Sequence, residues 1–147
     1  MNLYLDTSAL AKLYIREKGT DEVNRWMVQA DFVSTSLITL VEANAAFAHV
    51  VRMKSVTKKT GEGASHLLRK QWPAYLKTPI TEKTIARAAE LAWALGLRGY
   101  DAIHLASAEI WQTAMGLPVV LATFDRQLAA AAMSLGMEIL PDSEQRS

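Results

Sequence analysis

Two short apolar segments, Asn2–Leu5 (NLYL) and Val119–Ala122 (VVLA), most constrain what this 147-residue chain can fold into. Neither alternates polar and apolar residues, so both predict strands that are buried on both faces, as in parallel sheets. Three further short strands are predicted at Phe32–Ser34, Thr78–Ile80 and Glu138–Leu140. Because longer helical patterns separate these strands, the chain is predicted to form an α/β sandwich around a parallel sheet.

The predicted helices follow from apolar patterns that are too long for strands and from glycines that end them. They are a first helix from Asp6 through Lys12 and Arg16, then Asp21–Ala30, Thr39–Lys54, Lys58–Leu76, Glu82–Leu95, Tyr100–Met115 and Asp125–Leu135. Half of the residues are hydrophobic, which is enough to bury a core. We therefore expect one domain over residues 1–141, followed by a polar tail, residues 142–147, that frays.

Composition excludes several classes of site and of location. The sequence has no cysteine, so it has no disulfide, zinc–thiolate site or thiol nucleophile. Its N-terminus lacks the basic and apolar regions of a signal peptide, and no window reaches the ~18 apolar residues of a membrane span. We expect a soluble, cytoplasmic protein with no membrane segment.

The net charge of +1 hides an uneven distribution. Residues 49–70 carry a net charge of +5, and the rest of the chain carries −4. A basic segment of this kind can neutralise phosphates and bind nucleic acid without reading its sequence, although it is also typical of an ordinary solvated face. The candidate RNA contacts are Arg52, Lys54, Lys58 and Lys59 in this segment, with Lys12 and Arg16 near the first strand.

Four acidic residues lie at positions that a parallel sheet can bring close together. Asp6 and Asp125 follow the strands NLYL and VVLA, and ligands bind beyond the carboxyl ends of such strands. Asp101 opens an apolar helix that should carry it inward. Each of these three is also a normal helix-capping or first-turn residue.

Glu42 is harder to explain as a surface acid. It lies within the apolar run LITLVEANAAFAHVV, and its helical neighbours are uncharged. A buried carboxylate needs hydrogen bonds, a cation or a raised pKa, and a salt bridge to Arg or Lys is the structural alternative. Several carboxylates in one place repel one another, so the four acids together predict a cation, and oxygen ligands favour Mg²⁺ or Mn²⁺.

The segments DTSAL, VEANAAF, GYDAIHLASA and LATFD, in this order, resemble the PIN-domain ribonucleases. Among these, they are most similar to the VapC-type toxins of toxin–antitoxin pairs, over nearly the whole chain. The resemblance implies a three-layer sandwich with a five-stranded parallel sheet flanked by helices. It implies that Asp6, Glu42, Asp101 and Asp125 form the catalytic, metal-binding site, with hydroxyl side chains at Ser8 and Thr123.

The same resemblance implies metal-dependent endonucleolytic cleavage of RNA and a cognate antitoxin protein. We hypothesise that Asp6 and Asp101 hold the main Mg²⁺ with help from Asp125, and that metal-activated water attacks the phosphodiester. Glu42 would bind a second ion or orient the attacking water. Ser8 and Thr123 would fix the carboxylates through hydrogen bonds. We also expect a homodimer.

His104 lies three residues after Asp101, on the same helical face. It is a candidate metal ligand or general base, but a lone histidine on an apolar helix is more often a hydrogen-bonded core residue.

Three alternatives to the toxin hypothesis stay open at this point. One is a PIN-domain nuclease for RNA processing or for DNA, without an antitoxin. Another is a non-catalytic nucleic-acid-binding module, which predicts the loss of an acid, whereas all four acids are present. The last is a phosphatase or receiver-like domain, which would want a lysine after a late strand, where this chain has Arg126.

Overall fold

A parallel sheet forms the centre of the computed structural model, which describes residues 1–145. Its strands, in spatial order β3-β2-β1-β4-β5, all pair in parallel. They are β1 (Asn2–Leu5), β2 (Phe32–Ser36), β3 (Leu76–Thr78), β4 (Val119–Ala122) and β5 (Glu138–Leu140). The predicted five-stranded parallel sheet is confirmed.

Seven α-helices occur within the described residues. They are α1 (Thr7–Leu10), α2 (Thr20–Gln29), α3 (Ile38–Arg52), α4 (Lys58–Gln71), α5 (Glu82–Leu95), α6 (Gly99–Met115) and α7 (Arg126–Ser134). Two short 3₁₀ turns follow α1 and α4. Within residues 1–145, no helix is both long enough and apolar enough to cross a membrane.

The helices cover both faces of the sheet. Side chains of successive strand residues point to opposite faces, so Leu3 and Leu5 pack with one set of helices and Tyr4 with the other. The first core joins β1 to apolar residues of α1, α2, α3 and α4, and the second joins it to those of α5, α6 and α7. The expected three-layer sandwich is confirmed.

Several predicted boundaries were wrong, among them the end of β2, which lies at Ser36 rather than at Ser34. The first helix stops before Arg16, because α1 gives way to a 3₁₀ turn that ends at Leu13. Helix α4 ends at Gln71 rather than at Leu76, since Pro73 has no N–H for a helix interior and lies in the 3₁₀ turn that follows. Leu76 begins β3, which ends at Thr78 rather than at Ile80.

The order of the strands creates a switch point between β1 and β4. From β1 the chain builds outward to β2 and β3, and it then returns to build β4 and β5 on the other side. Crevices at such points are the usual ligand sites of open parallel sheets. The ends of the two strands are joined there, since the N–H of Asp6, the residue after β1, donates to the carbonyl oxygen of Ala122, the last residue of β4, at 3.1 Å.

The predicted polar tail falls partly outside the described residues. Residues 142–145 form a turn, in which the Gln145 N–H donates to the Asp142 backbone oxygen at 3.1 Å. Residues 146 and 147 lie outside the described part of the chain.

Candidate active site

Asp6 lies at the switch point with both carboxylate oxygens held by hydrogen bonds. As the N-cap of α1 it accepts from the Ala9 N–H at 2.9 Å, and Ser8 Oγ donates to the same oxygen at 2.7 Å. Thr123 Oγ1 donates to the other oxygen. Burial raises the pKa of Asp6 in spite of these bonds. Ser8 and Thr123, the two predicted supporting residues, thus both donate hydrogen bonds to Asp6.

Asp101 is the acid whose buried carboxylate is least stabilised by neighbouring groups. Its side chain, in the first turn of α6, is only 6% exposed. Its Oδ2 is buried and accepts no hydrogen bond within residues 1–145, and the nearest cation, Arg98 Nε, is 3.6 Å away. Burial, followed by the charge of Asp125 and more weakly that of Asp6, raises the pKa of Asp101 to about 6, although Arg98 opposes the shift.

Asp125 completes a group of three carboxylates. It caps α7, where its Oδ1 accepts from the Leu128 N–H at 2.9 Å. Its Oδ2 lies 3.5 Å from Nη2 of Arg98. We call Asp6, Asp101 and Asp125 the acid cluster, because their charges act on one another across the switch point.

Glu42 on α3 is held in a different way. Its Oε1 accepts from Thr7 Oγ1 at 2.6 Å and lies 2.7 Å from His104 Nε2. Burial raises the pKa of Glu42, but these two hydrogen bonds and the charge of His104 outweigh it, so the pKa lies below its usual value. The partners of Glu42 are thus His104 and Thr7, and not the Arg or Lys of the structural alternative.

His104 is a hydrogen-bonded core residue, as its position on an apolar helix predicted. It is 2% exposed, and both ring nitrogens have partners, since Nδ1 lies 3.0 Å from the Tyr4 hydroxyl and Nε2 faces Glu42. Burial raises the pKa of Tyr4 well above its usual range, so that hydroxyl keeps its proton. An ionised Glu42 carboxylate can only accept, so Nε2 of His104 carries the proton between them.

The acid cluster has the right atoms for a hard divalent cation. Its ligands are all carboxylate oxygens, and one of them, Asp101 Oδ2, is buried without a hydrogen bond in the described chain. Within residues 1–145 no three His, Asp or Glu side chains lie close enough together to hold a metal ion as they are placed. The chemistry of the donor atoms fits Mg²⁺ or Mn²⁺, and the carboxylates would have to move closer together to bind one.

The predicted RNA contacts lie in two separate places. Lys12 is 11% exposed and pairs with Glu17 at 2.9 Å, and Arg16 pairs with Asp21 at 3.1 Å. The other four, Arg52, Lys54, Lys58 and Lys59, lie at the end of α3 and the start of α4. Since a helix rises ~1.5 Å per residue, Arg52 is ~15 Å along the axis of α3 from Glu42.

Sequence reasoning gave no role to Arg98 and Thr7, which the structure adds to the site. Arg98 precedes Asp101 by three residues, a spacing that puts two helical side chains side by side and could have drawn attention to it. Thr7 carries no comparable signal, because its partner Glu42 is 35 residues away in the sequence.

Three comparisons with known proteins agree with this fold. Residues 3–134 match the family model described as PIN domain. The chain is 32% identical over 140 residues to Ribonuclease VapC45 of Mycobacterium tuberculosis (strain CDC 1551 / Oshkosh), covering 95% of this chain and 94% of that protein.

Two solved structures are similar in fold. The crystal structure of FitAcB from Neisseria gonorrhoeae matches with a TM-score of 0.67 at 20% identity, covering 93% of this chain and 95% of that one. A toxin–antitoxin complex from Klebsiella pneumoniae matches with a TM-score of 0.58 at 20% identity, covering 85% of this chain and 87% of that one.

Proposed function

Because the chain belongs to the PIN domain family and within it to the VapC ribonucleases, we propose that it is a Mg²⁺-dependent endoribonuclease and the toxin of a toxin–antitoxin pair. The observation that carries the catalytic part is the acid cluster at the switch point. There, a buried oxygen of Asp101 accepts no hydrogen bond within residues 1–145, and burial together with the neighbouring carboxylates raises the pKa of Asp101 to about 6. A site of this kind favours a bound cation over an empty state at neutral pH.

Asp6, Asp101 and Asp125 would hold Mg²⁺, with Mn²⁺ as a substitute. When bound, the cation would activate water as a nucleophile and stabilise the charge that develops on the leaving oxygen. Ser8 and Thr123 fix the plane of the Asp6 carboxylate through the hydrogen bonds described above. Without a cation, Arg98 neutralises part of the charge of Asp101 and Asp125.

Glu42 would orient the attacking water rather than bind a second ion. Thr7 and His104 both contact its Oε1, and no donor among residues 1–145 hydrogen-bonds to its Oε2. The lowered pKa keeps Glu42 ionised, so that Oε2 can accept a hydrogen bond from water. Both neighbours are themselves held in place, so the direction of that oxygen is fixed.

The nature of the new RNA ends tests this proposal. Purified protein is incubated with total RNA in Mg²⁺ or in EDTA, and the ends are mapped. We expect cleavage only with Mg²⁺, leaving a 5′-phosphate and a 3′-hydroxyl, because water is the nucleophile. A 2′,3′-cyclic phosphate would contradict the mechanism, since it arises when the 2′-hydroxyl of the RNA attacks instead.

The toxin role rests on the relatives. They are VapC ribonucleases, and one structural neighbour is a toxin–antitoxin complex, which supports a cognate antitoxin as the partner of this chain. A gene for a small antitoxin immediately upstream would distinguish this role from that of an RNA-processing nuclease. Homodimer formation and a cytoplasmic location stay predictions.

A further inference from the structure

A cleft of about 540 Å³ lies beside the acid cluster, where the start of α2 faces the turn after β4. We call it the basic cleft, because four of its lining side chains are cationic and one is acidic. The cations are Lys12, Lys18, Arg25 and Arg126, and the acid is Glu22. The volume lies within the ~300–1,000 Å³ of typical small-ligand sites.

Three of these cations are available to a ligand. Lys12 is committed to Glu17, at 2.9 Å. Lys18, Arg25 and Arg126 are exposed, and none of them forms an ion pair with an acid within residues 1–145. The cleft therefore presents positive charge that the described chain does not neutralise, which suits an anionic ligand.

The cleft and the acid cluster share one turn of the backbone. Phe124 and Arg126, which line the cleft, are the residues on either side of Asp125, and adjacent Cα atoms are ~3.8 Å apart. The Phe124 N–H also donates to Ser8 Oγ at 2.8 Å, and Ser8 in turn donates to Asp6. A ligand in the cleft thus contacts both backbone neighbours of Asp125.

Phe124 serves as a wall of the cleft. Its ring stacks on Trp26 with 5.9 Å between centroids, and the Lys12 ammonium lies 4.4 Å from its centroid. At Gly19, where φ is +97°, a Cβ would come within 2.8 Å of the ring edge, so glycine lets α2 approach this closely. Since the ring is packed in this way, we expect the cleft to recognise phosphates rather than stacked bases.

We propose that the basic cleft binds the sugar–phosphate backbone of RNA next to the scissile phosphate, through Lys18, Arg25 and Arg126. This inference rests on the proposed ribonuclease function and adds a path for the substrate. In this proposal, the main phosphate contacts near the acid cluster are made by the side chains of the basic cleft. The basic segment of α3 and α4, ~15 Å along α3 from Glu42, would contact only more distant parts of the strand.

Salt dependence of RNA binding tests the cleft. The triple variant Lys18→Ala/Arg25→Ala/Arg126→Ala is compared with a control that removes the same charge from the basic segment, Arg52→Ala/Lys54→Ala/Lys59→Ala. Binding of a short fluorescent single-stranded RNA of mixed sequence is measured by anisotropy in EDTA, from about 50 to 200 mM salt. Circular dichroism checks that both variants melt as the wild type does.

We expect the cleft variant to bind RNA about tenfold to a hundredfold more weakly than the wild type near 0.1 M salt. The slope of log K, the RNA association constant, against log salt should become shallower by about 2, because each phosphate contact on a single strand contributes ~0.7 to the slope. The control should change the slope by less than half as much. Equal effects of the two variants, a larger effect of the control or no effect of the cleft variant would each overturn the inference.

Parallel incubation of wild-type protein with RNA and Mg²⁺ separates the two proposals. If the wild type cuts RNA but the cleft variant keeps the full slope, only the cleft inference fails. If the wild type neither binds nor cuts RNA, the ribonuclease proposal fails and the cleft inference falls with it.

Discussion

The acid cluster and the Glu42–His104 pair are both built from carboxylates on buried elements, but the chain compensates their charges differently. Asp101 keeps a buried oxygen without a hydrogen bond in the described residues, and its pKa is raised to about 6. Glu42 accepts from Thr7 and His104, and its pKa is lowered. A carboxylate that the chain already stabilises gains little from a cation, whereas an uncompensated one gains much. The difference supports the proposal that the cation binds at the acid cluster and that Glu42 orients water.

Substitution of the uncompensated acid should have the largest effect. Asp101→Asn keeps the shape of the side chain but removes a proposed cation ligand, so RNA cleavage should fall by about 10²- to 10³-fold, the loss seen when one electrostatic stabiliser of a transition state is removed. Without metal the variant should melt about 2–4 °C higher than the wild type, the shift that ~1 kcal/mol produces in a chain of this size, because a repulsive charge is gone. Cleavage of labelled RNA and thermal melts in EDTA measure the two effects.

A matched control is Glu82→Gln, which removes one negative charge from the first turn of a different helix, α5. It should leave cleavage unchanged. A lower melting temperature for Asp101→Asn in EDTA would contradict the view that Asp101 is uncompensated in the metal-free protein.

The sequence predicts the acids better than it predicts their partners. Asp6 and Asp125 could be placed because parallel strands end at one edge of a sheet, and Asp101 could be placed because its helix is apolar. The partners of Glu42 depend on tertiary packing, since Thr7 and His104 are 35 and 62 residues away. Local patterns describe faces and edges of elements, but they do not say which side chains meet across the sheet.

The distribution of basic residues shows the same limit of prediction from sequence. The contiguous basic segment of residues 49–70 stands out in the sequence, whereas the basic cleft is assembled from two distant parts of the chain, Lys18 and Arg25 in one and Arg126 in the other. The boundary errors at Leu13 and Leu76 are of a different kind. There, a 3₁₀ turn ended each helix early, and Pro73 was the local signal that marked the second end.

Glu42→Gln should have an intermediate effect, which sharpens the comparison. The amide still accepts from Thr7 and His104 but loses the charge that orients water, so cleavage should fall by about 10- to 100-fold, as for groups that support rather than ligate a metal. The free energy of unfolding should fall by about 1–2 kcal/mol, because hydrogen bonds to a charged group become neutral ones. Denaturant melts and cleavage rates measure these changes.

The effect of metal on the melting temperature distinguishes the role of Glu42 from that of the acid cluster. Mg²⁺ or Mn²⁺ should raise the melting temperature of Glu42→Gln by nearly as much as that of the wild type, and should leave that of Asp101→Asn unchanged. If Glu42→Gln also loses the metal-dependent shift, Glu42 is a ligand and the two regions act as one site.

The smallest expected effect is the pH dependence of stability that Asp101 contributes. Its pKa of about 6 in the folded protein exceeds the ~3.9 of an unfolded aspartate, so the folded state binds more protons between these values. The metal-free wild type therefore loses stability relative to Asp101→Asn as the pH rises from about 4 to about 6. The difference in melting temperature between the two proteins should be near zero below pH ~4 and complete above pH ~6, as melts in EDTA across this range would measure.

Arg98 sets where that transition falls. Its charge lies 3.6 Å from Asp101 and 3.5 Å from Asp125, and it lowers the pKa of Asp101 against the effects of burial and repulsion. Arg98→Gln removes this attraction, so the transition in the melting difference should move to a higher pH, whereas Arg98→Lys should move it less because the charge remains. A transition that stays in place in Arg98→Gln would mean that solvent screens this exposed guanidinium, and that burial and the neighbouring carboxylates alone fix the charge of the acid cluster.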